Sequence, residues 1–280
     1  MNQGTLYIVA TPIGNRSDIS ERGISTLKTV DLIAAEDTRH SRSLLQFYGI
    51  QARLQACHEH NEEQIVPGLI TQLQAGKNIA LISDAGTPLL SDPGYRLVKA
   101  AHEAGIRVSP VPGACAAIAA LSASGLATDR FMFAGFPPHK QAARERYYRE
   151  FETQSATLIF YESSHRILAS VMDMCAILGA DRKIVLAREL SKTFETIHST
   201  QLGLLVDWLQ ADANQQKGEF VLIVQGASVQ RDEQSADLDS LLHILLDELP
   251  LKQATQLASR ISGLKKNQVY KRALKLTLSN

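Results

Sequence analysis

The chain has 280 residues, 45% hydrophobic and 21% charged, a composition that excludes the disordered and fibrous classes. Its 29 basic and 29 acidic side chains cancel, which excludes a uniformly basic nucleic-acid coat but leaves room for a local basic patch. Three widely spaced cysteines, Cys57, Cys115 and Cys175, form neither a disulfide framework nor a paired zinc motif.

Residues 1–19 hold no apolar signal-like stretch and no apolar run approaches ~20 residues, so the expected location is the cytoplasm, away from membranes. Residues 6–10 read as a buried strand. Residues 19–30 read as a helix with Ile19, Gly23, Leu27 and Val30 along one side. Residues 32–35, 78–83 and 106–111 read as further strands, with helices starting near Thr38 and spanning about 94–103. This alternation predicts an α/β protein with a mostly parallel sheet covered by helices. A second series follows Gly125, with strands over 131–134, 157–161, 183–187, 195–199 and 219–225. The helix after Tyr161 has Ser163 or Ser164 as its expected cap and an apolar stripe of Ile167, Leu168, Val171, Cys175 and Leu178.

The C-terminal part differs in charge. Residues 227–250 carry a net of −5 and residues 251–280 a net of +7, which leaves −2 for residues 1–226. Residues 227–236 read as a polar linker, followed by helices over 238–248, 251–261 and 266–276 with a stop at Gly263. A small basic helical module suits a nucleic-acid clamp, and equally a cap or dimer element.

Several strands end in glycine- and proline-rich loops, and ligands of open α/β sheets bind at the carboxyl ends of strands. The loops are Ala10-Thr-Pro-Ile-Gly-Asn15, residues 83–94 and residues 112–117. In the second, Gly86 and Gly94 allow close approach of backbone, Asp84 and Asp92 offer carboxylates, and Thr87 a hydroxyl. In the third, a small-residue helix begins near Ala116, where free N–H groups face an anionic group. Three such loops on one half favour a ligand pocket over plain turns. The dinucleotide-binding glycine fingerprint, the P-loop and the nucleophile-elbow motif are all absent.

Polar clusters accompany these loops. Glu36 and Asp37 either cap the next helix or belong to a site that includes Arg39 and His40. Glu162, Arg166, Arg188 and Glu189 read either as structural ion pairs at strand ends or as site residues. Cys57-His-Glu-His60 places adjacent ligands in one short run, which rarely closes a tetrahedral site, so no metal is expected. His102, His198 and His243 read as satisfied surface or core groups.

Seven motifs occur in order: Thr11-Pro-Ile-Gly-Asn15, Ala35-Glu-Asp-Thr-Arg-His40, Ser83-Asp-Ala-Gly-Thr-Pro88, Ser91-Asp-Pro-Gly94, Tyr161-Glu-Ser-Ser-His-Arg166, Ala187-Arg-Glu-Leu-Ser-Lys192 and Lys217-Gly-Glu-Phe220. The set resembles the tetrapyrrole methylase-like methyltransferases, in particular those that methylate a cytidine ribose of small-subunit ribosomal RNA. The resemblance implies two α/β domains, residues 1–115 and 116–228, with S-adenosylmethionine in the cleft between them. It also implies a homodimer and gives residues 237–280 the part of a basic, RNA-binding helical module.

On this resemblance, Pro12, Asp84, Thr87, Pro88, Ala116 and Ala117 lie on the cofactor, and Phe160 and Tyr161 approach it from the second domain. Arg16, the pair Ala114 and Cys115, and Ser164 depart from the family pattern. The implied reaction moves a methyl group from a sulfonium to a ribose 2′-hydroxyl, so the chain must align the groups and manage a poorly acidic proton. Glu36, Asp37, Glu162, Glu189 and Lys192 are the candidates, unranked. Arg39, Arg166 and Arg188 suit phosphate, and Lys265, Lys266, Lys271 and Arg272 extend the basic surface. The expected substrate is RNA within the 30S particle. Methylation of a tetrapyrrole carbon (a precorrin-type reaction) and a non-catalytic RNA-binding assembly role remain as alternatives.

Overall fold

The computed structural model describes residues 3–227 and 231–278. The first sheet has five parallel strands, β1 (Thr5–Val9), β2 (Leu32–Ala35), β3 (Leu54–Ala56), β4 (Ile79–Ile82) and β5 (Arg107–Val111), in the order β3-β2-β4-β1-β5. Helices α1 (Glu21–Thr29), α2 (Thr38–Phe47), α3 (Glu62–Gln74) and α4 (Tyr95–Glu103) cover it. Side chains alternate between faces along each strand. Leu6, Leu32 and Leu81 therefore pack with Leu69, Leu73 and Leu97 on one face. Val9, Ile33 and Ile82 pack with Leu27 and Leu45 on the other. Burial on both faces is why these strands read as continuous apolar runs.

Helix α5 (Ala116–Ser124) leads to the second sheet. Its strands are β6 (Phe131–Gly135), β7 (Thr157–Ser163), β8 (Lys183–Arg188), β9 (Thr196–Gln201) and β10 (Glu219–Val224), ordered β6-β7-β10-β8-β9. Only β6 and β7 pair in parallel; the remaining ladders are antiparallel. Helices α6 (Gln141–Arg149), α7 (Ile167–Leu178) and α8 (Leu202–Ala211) cover one face through Phe160, Leu186 and Leu222. The small residues of α5 cover the other, with Ala117, Ala120 and Leu121 against Ile159, Val185 and Val221. Both sheets belong to one compact unit that ends at Gly226.

The second unit is helical: α9 (Arg231–Glu248), α10 (Leu251–Ser262) and α11 (Lys266–Leu278). Leu238, Leu242, Ala258, Val269 and Ala273 form its core. Gly263 ends α10 in the left-handed conformation expected of a stop (φ +69°). The linker is shorter than the sequence suggests, because helix α9 already begins at Arg231. The rest of that linker, residues 228–230, lies outside the described residues.

Three further points differ from the sequence reading. Helix α3 contains Pro67, a residue that reads as a breaker, yet it forms because Val66, Leu69 and Leu73 are buried on one face. Helices α6 and α8 are absent from that reading, although α8 carries Leu202, Leu205 and Leu209 along one buried face. The cap of α7 is Arg166, with no capping side chain, rather than Ser163 or Ser164.

Candidate active site

The carboxyl ends of the first sheet are tied into one platform. Thr11 and Gly86 exchange backbone hydrogen bonds of 2.8 and 3.0 Å, which joins the loop after β1 to the loop after β4. The Thr87 hydroxyl donates to the Ala114 carbonyl at 2.9 Å, which joins the loop after β4 to the loop after β5. Beside them, the Asp84 carboxylate accepts from the Asp37 amide at 3.1 Å, and the Asp84 amide donates to Glu36 at 3.3 Å.

The second sheet supplies the facing wall. Tyr161 lies at the end of β7 with its hydroxyl accepting from the Ala117 amide at 3.2 Å. Phe133 and Phe136 meet its ring edge-on at 4.9 and 5.4 Å. Burial pushes the phenol up to about 12, so it stays neutral. Below it, Lys192 bridges Glu189 at 2.9 Å and Glu219 at 2.8 Å, and Glu189 also accepts from the Glu219 amide at 2.9 Å. Burial alone would raise Glu189, but these hydrogen bonds hold its carboxyl below the usual value. Two glycines make this approach possible. A Cβ on Gly14 would meet Lys192 Cγ at 2.5 Å, and one on Gly218 (φ +101°) would meet Glu189 Cγ at 2.5 Å.

Between the walls lies a cavity of about 340 Å³. Ile13, Leu90, Phe136 and Leu190 give it apolar surface, and Thr87, Ala116 and Tyr161 contribute from the expected set. Three carboxylate residues, Asp92, Glu162 and Glu219, stand in its lining. Burial pushes Asp92 up to about 6, the neighbouring Glu36 and Asp84 adding to the rise and the Ser83 hydroxyl opposing it. Burial likewise raises Glu36. The chain turns through left-handed backbone at Leu89 (φ +75°) and Ser91 (φ +70°) to present Asp92. A nucleoside carrying a positively charged sulfonium fits this lining, since apolar walls take the base and carboxylates face the cation.

Other expected residues stand elsewhere. Phe160 points to the opposite face of its sheet, as strand alternation requires, and packs its ring against Tyr148 at 5.6 Å and Phe151 at 5.4 Å. Pro12, Pro88 and Ala117 adjoin lining residues without lining the cavity, and Asp84 braces it from behind. The Ala117 amide, expected to face an anionic group, is taken by Tyr161. Glu162, by contrast, does line the cavity; it pairs with Arg166 at 2.7 Å and accepts from the Ser163 amide, while its Oε2 is buried without a partner among the described residues. Arg166 also donates to Pro137 and Ser163. It therefore acts as a brace, with each of its three nitrogens engaged within the chain.

Arg188 is likewise engaged, with the Asn214 carbonyl and Thr196. Asp37 caps α2 and, held low by the Arg39 side chain, pairs with that exposed guanidinium at 3.1 Å. In the helical unit, Lys265, Lys266 and Lys271 are exposed, whereas Arg272 grips Asp239 through two bonds of 2.7 and 2.6 Å. Among the described residues no three His, Cys, Asp or Glu side chains converge as metal ligands, and no helix is long and apolar enough to cross a membrane. The sequence signal for Asp92 was its place in the loop after β4. Nothing there separates it from Asp84.

Two sheets sharing one cleft at their strand ends define a methylase class that lacks the common glycine fingerprint. A family model of tetrapyrrole (corrin/porphyrin) methylases matches residues 5–206, and a model of the RsmI C-terminal HTH domain matches residues 232–277. The chain belongs to the tetrapyrrole methylase family. It is 56% identical to ribosomal RNA small subunit methyltransferase I of Escherichia coli O157:H7, over 98% of this chain and 96% of the relative. It is 54% identical to the protein of that name from Pseudomonas aeruginosa, over 98% of each chain. Among solved structures, uroporphyrin-III-C-methyltransferase from Thermus thermophilus shares the fold at 20% identity (TM-score 0.55), covering 80% of this chain and 94% of that one. Diphthine synthase shares it at 17% identity (TM-score 0.60), covering 80% and 90%.

Proposed function

We propose that this chain transfers a methyl group from S-adenosylmethionine to the ribose 2′-hydroxyl of a cytidine in small-subunit ribosomal RNA. The observation that carries the reading is the identity of more than half the residues, through body and helical unit alike, with proteins named ribosomal RNA small subunit methyltransferase I. The likeness to the uroporphyrin enzyme is one of fold alone at 20% identity, so carbon methylation of a tetrapyrrole is not favoured. A non-catalytic assembly role leaves the carboxylate-lined cavity without a purpose.

S-adenosylmethionine supplies a methyl group already activated by its sulfonium. The chain supplies alignment and proton management. Ile13, Thr87, Leu90, Ala116 and Tyr161 hold the cofactor, with Asp84 and Pro12 bracing the loops from behind. Phe136 and Leu190 exclude water. Asp92 takes the hydroxyl proton. Its carboxyl, at about 6, is ionised at neutral pH yet more basic than an ordinary carboxylate. Among the other candidates, Glu36 and Asp37 fix the helix beside the loop, Glu162 anchors Arg166, and Glu189 with Lys192 holds the second wall.

Residues 1–115 and 116–228 act as the two domains, one sheet each, and residues 237–280 as the RNA-binding module. Lys265, Lys266 and Lys271 are its phosphate contacts, while Arg272 holds the module together. The chain works as a homodimer in the cytoplasm, on RNA within the 30S particle.

The test is methyl transfer from labelled cofactor into unmodified 30S particles and into naked small-subunit RNA. Label in the particles, with less in naked RNA, is expected. No label in either substrate, from protein that binds the cofactor calorimetrically, refutes the reading.

A further inference from the structure

The body carries its own cationic and aromatic face, although its net charge of −2 suggests that the helical unit alone does the docking. Helix α2 contains no acidic residue, and Arg39, His40, Arg42, Gln46 and Phe47 are exposed along it. The Arg16 guanidinium lies 4.8 Å from the centre of the Phe47 ring, and the Tyr48 ring meets Phe47 edge-on at 4.9 Å. The Tyr48 hydroxyl donates to the Arg16 carbonyl, which pins the loop after β1 to the end of the helix. Phe47 is 58% exposed, while the helix buries Ser41 and Leu45 on its other side.

From Arg39 to Phe47 the helix spans roughly 12 Å, with cations at both ends and Arg42 between them. The acid bonded to this row is Asp37, and its pair with Arg39 is exposed on the arginine side and of little net strength. Arg39 is thus free to exchange a carboxylate for a phosphate.

We infer that the exposed face of α2, with Arg16 stacked on Phe47, is a second RNA-docking surface that grips the strand flanking the target nucleotide. An acidic peptide would use the cations but not a ring held open to solvent. A single RNA strand uses both, phosphates on the guanidinium groups and a base on the aromatic face. The position agrees. The Asp37 amide that begins this helix is bonded to Asp84, and Ala85, Gly86 and Thr87 line the cavity. A phosphate held at Arg39 lies beside the chemistry, whereas the contacts of the helical unit serve general affinity. This inference rests on the RNA methyltransferase reading above.

The experiment uses the full chain, unmodified 30S particles and labelled cofactor. The variants are the double charge reversal Arg16→Glu with Arg42→Glu, and Phe47→Ala, all at exposed positions outside the cavity. The double variant is expected to raise the Kd for particles at least tenfold and to flatten the dependence of log affinity on log salt by about 1.4. Phe47→Ala is expected to raise Kd several-fold with the salt slope unchanged, because a stacking contact releases no counterions. In both, KM for particles rises, kcat at saturation stays within about twofold, and cofactor affinity is unchanged. Wild-type affinity and salt slope in all variants, with methylation intact, overturns the inference and leaves the reaction standing. A wild-type chain that neither binds nor methylates the particles overturns both.

Discussion

Replacing Asp92 by Asn should make the protein more stable and inactive at once. Burial raises this carboxyl from 3.8 to about 6. One step in pKa is worth ~1.4 kcal/mol, so keeping the carboxylate ionised in the folded chain costs up to about 3 kcal/mol. Water reaching the half-buried group reduces this to about 1–2 kcal/mol. The folded value lies above the unfolded one, so the penalty is absent below pH 3.8, grows as pH rises, and is complete above about 6. Asparagine keeps the shape and an acceptor for Ser83 but never ionises. At pH 8 its Tm should exceed that of the wild type by about 2–8 °C, and at pH 5 by about half as much. Calorimetric scans at the two pH values read the difference. Single-turnover methylation should be lost in the variant with cofactor affinity kept, and in the wild type should decline as pH falls through about 6. An Asn variant no more stable at pH 8 than the wild type would refute the burial argument, and an active one would refute the role of base.

Arg166→Met leaves the Glu162 carboxylate buried without its cation and should cost about 3 kcal/mol, read as a lower Tm. Tyr161→Phe removes the acceptor of the Ala117 amide and should cost about 1 kcal/mol, with cofactor Kd raised several-fold in calorimetry. Replacing Lys265, Lys266 and Lys271 together by Ala should weaken particle binding and lower the salt slope by about 2, with the heat of cofactor binding unchanged.

The parts of the fold legible in the sequence were those with strong local signals. Strands such as Ile79–Ile82 are buried on both faces and stand out as apolar runs. Strand Leu54–Ala56 is three residues long with Gln55 in its middle, too short for any pattern. Helix α6 carries Arg, Glu or Gln at five of its nine positions, and its burial rests on Arg144 and Tyr148, where the arginine is paired with Asp173 in the interior. Periodicity of apolar residues cannot reveal a helix that buries a guanidinium.

The site was legible as loops, because glycine and proline mark where backbone must bend. It was not legible as individual roles. Whether Asp84 or Asp92 faces the cavity depends on two left-handed residues, Leu89 and Ser91, that neither composition nor spacing signals. Whether Arg166 is free for phosphate depends on Glu162, four residues earlier, lying buried beside it. Phe160 and Tyr161 are neighbours in sequence but occupy opposite faces of β7, and Phe160 packs into the core beneath α6, α7 and α8 while Tyr161 lines the cleft.

The atom that receives the methyl group separates ribose methylation from every alternative. The direct measurement is mass spectrometry of nucleosides from unmodified 30S particles incubated with the protein and methyl-labelled S-adenosylmethionine. Label on the ribose of a cytidine, abolished by Asp92→Asn, is the predicted result. Label on a base, or on a nucleoside other than cytidine, would contradict it.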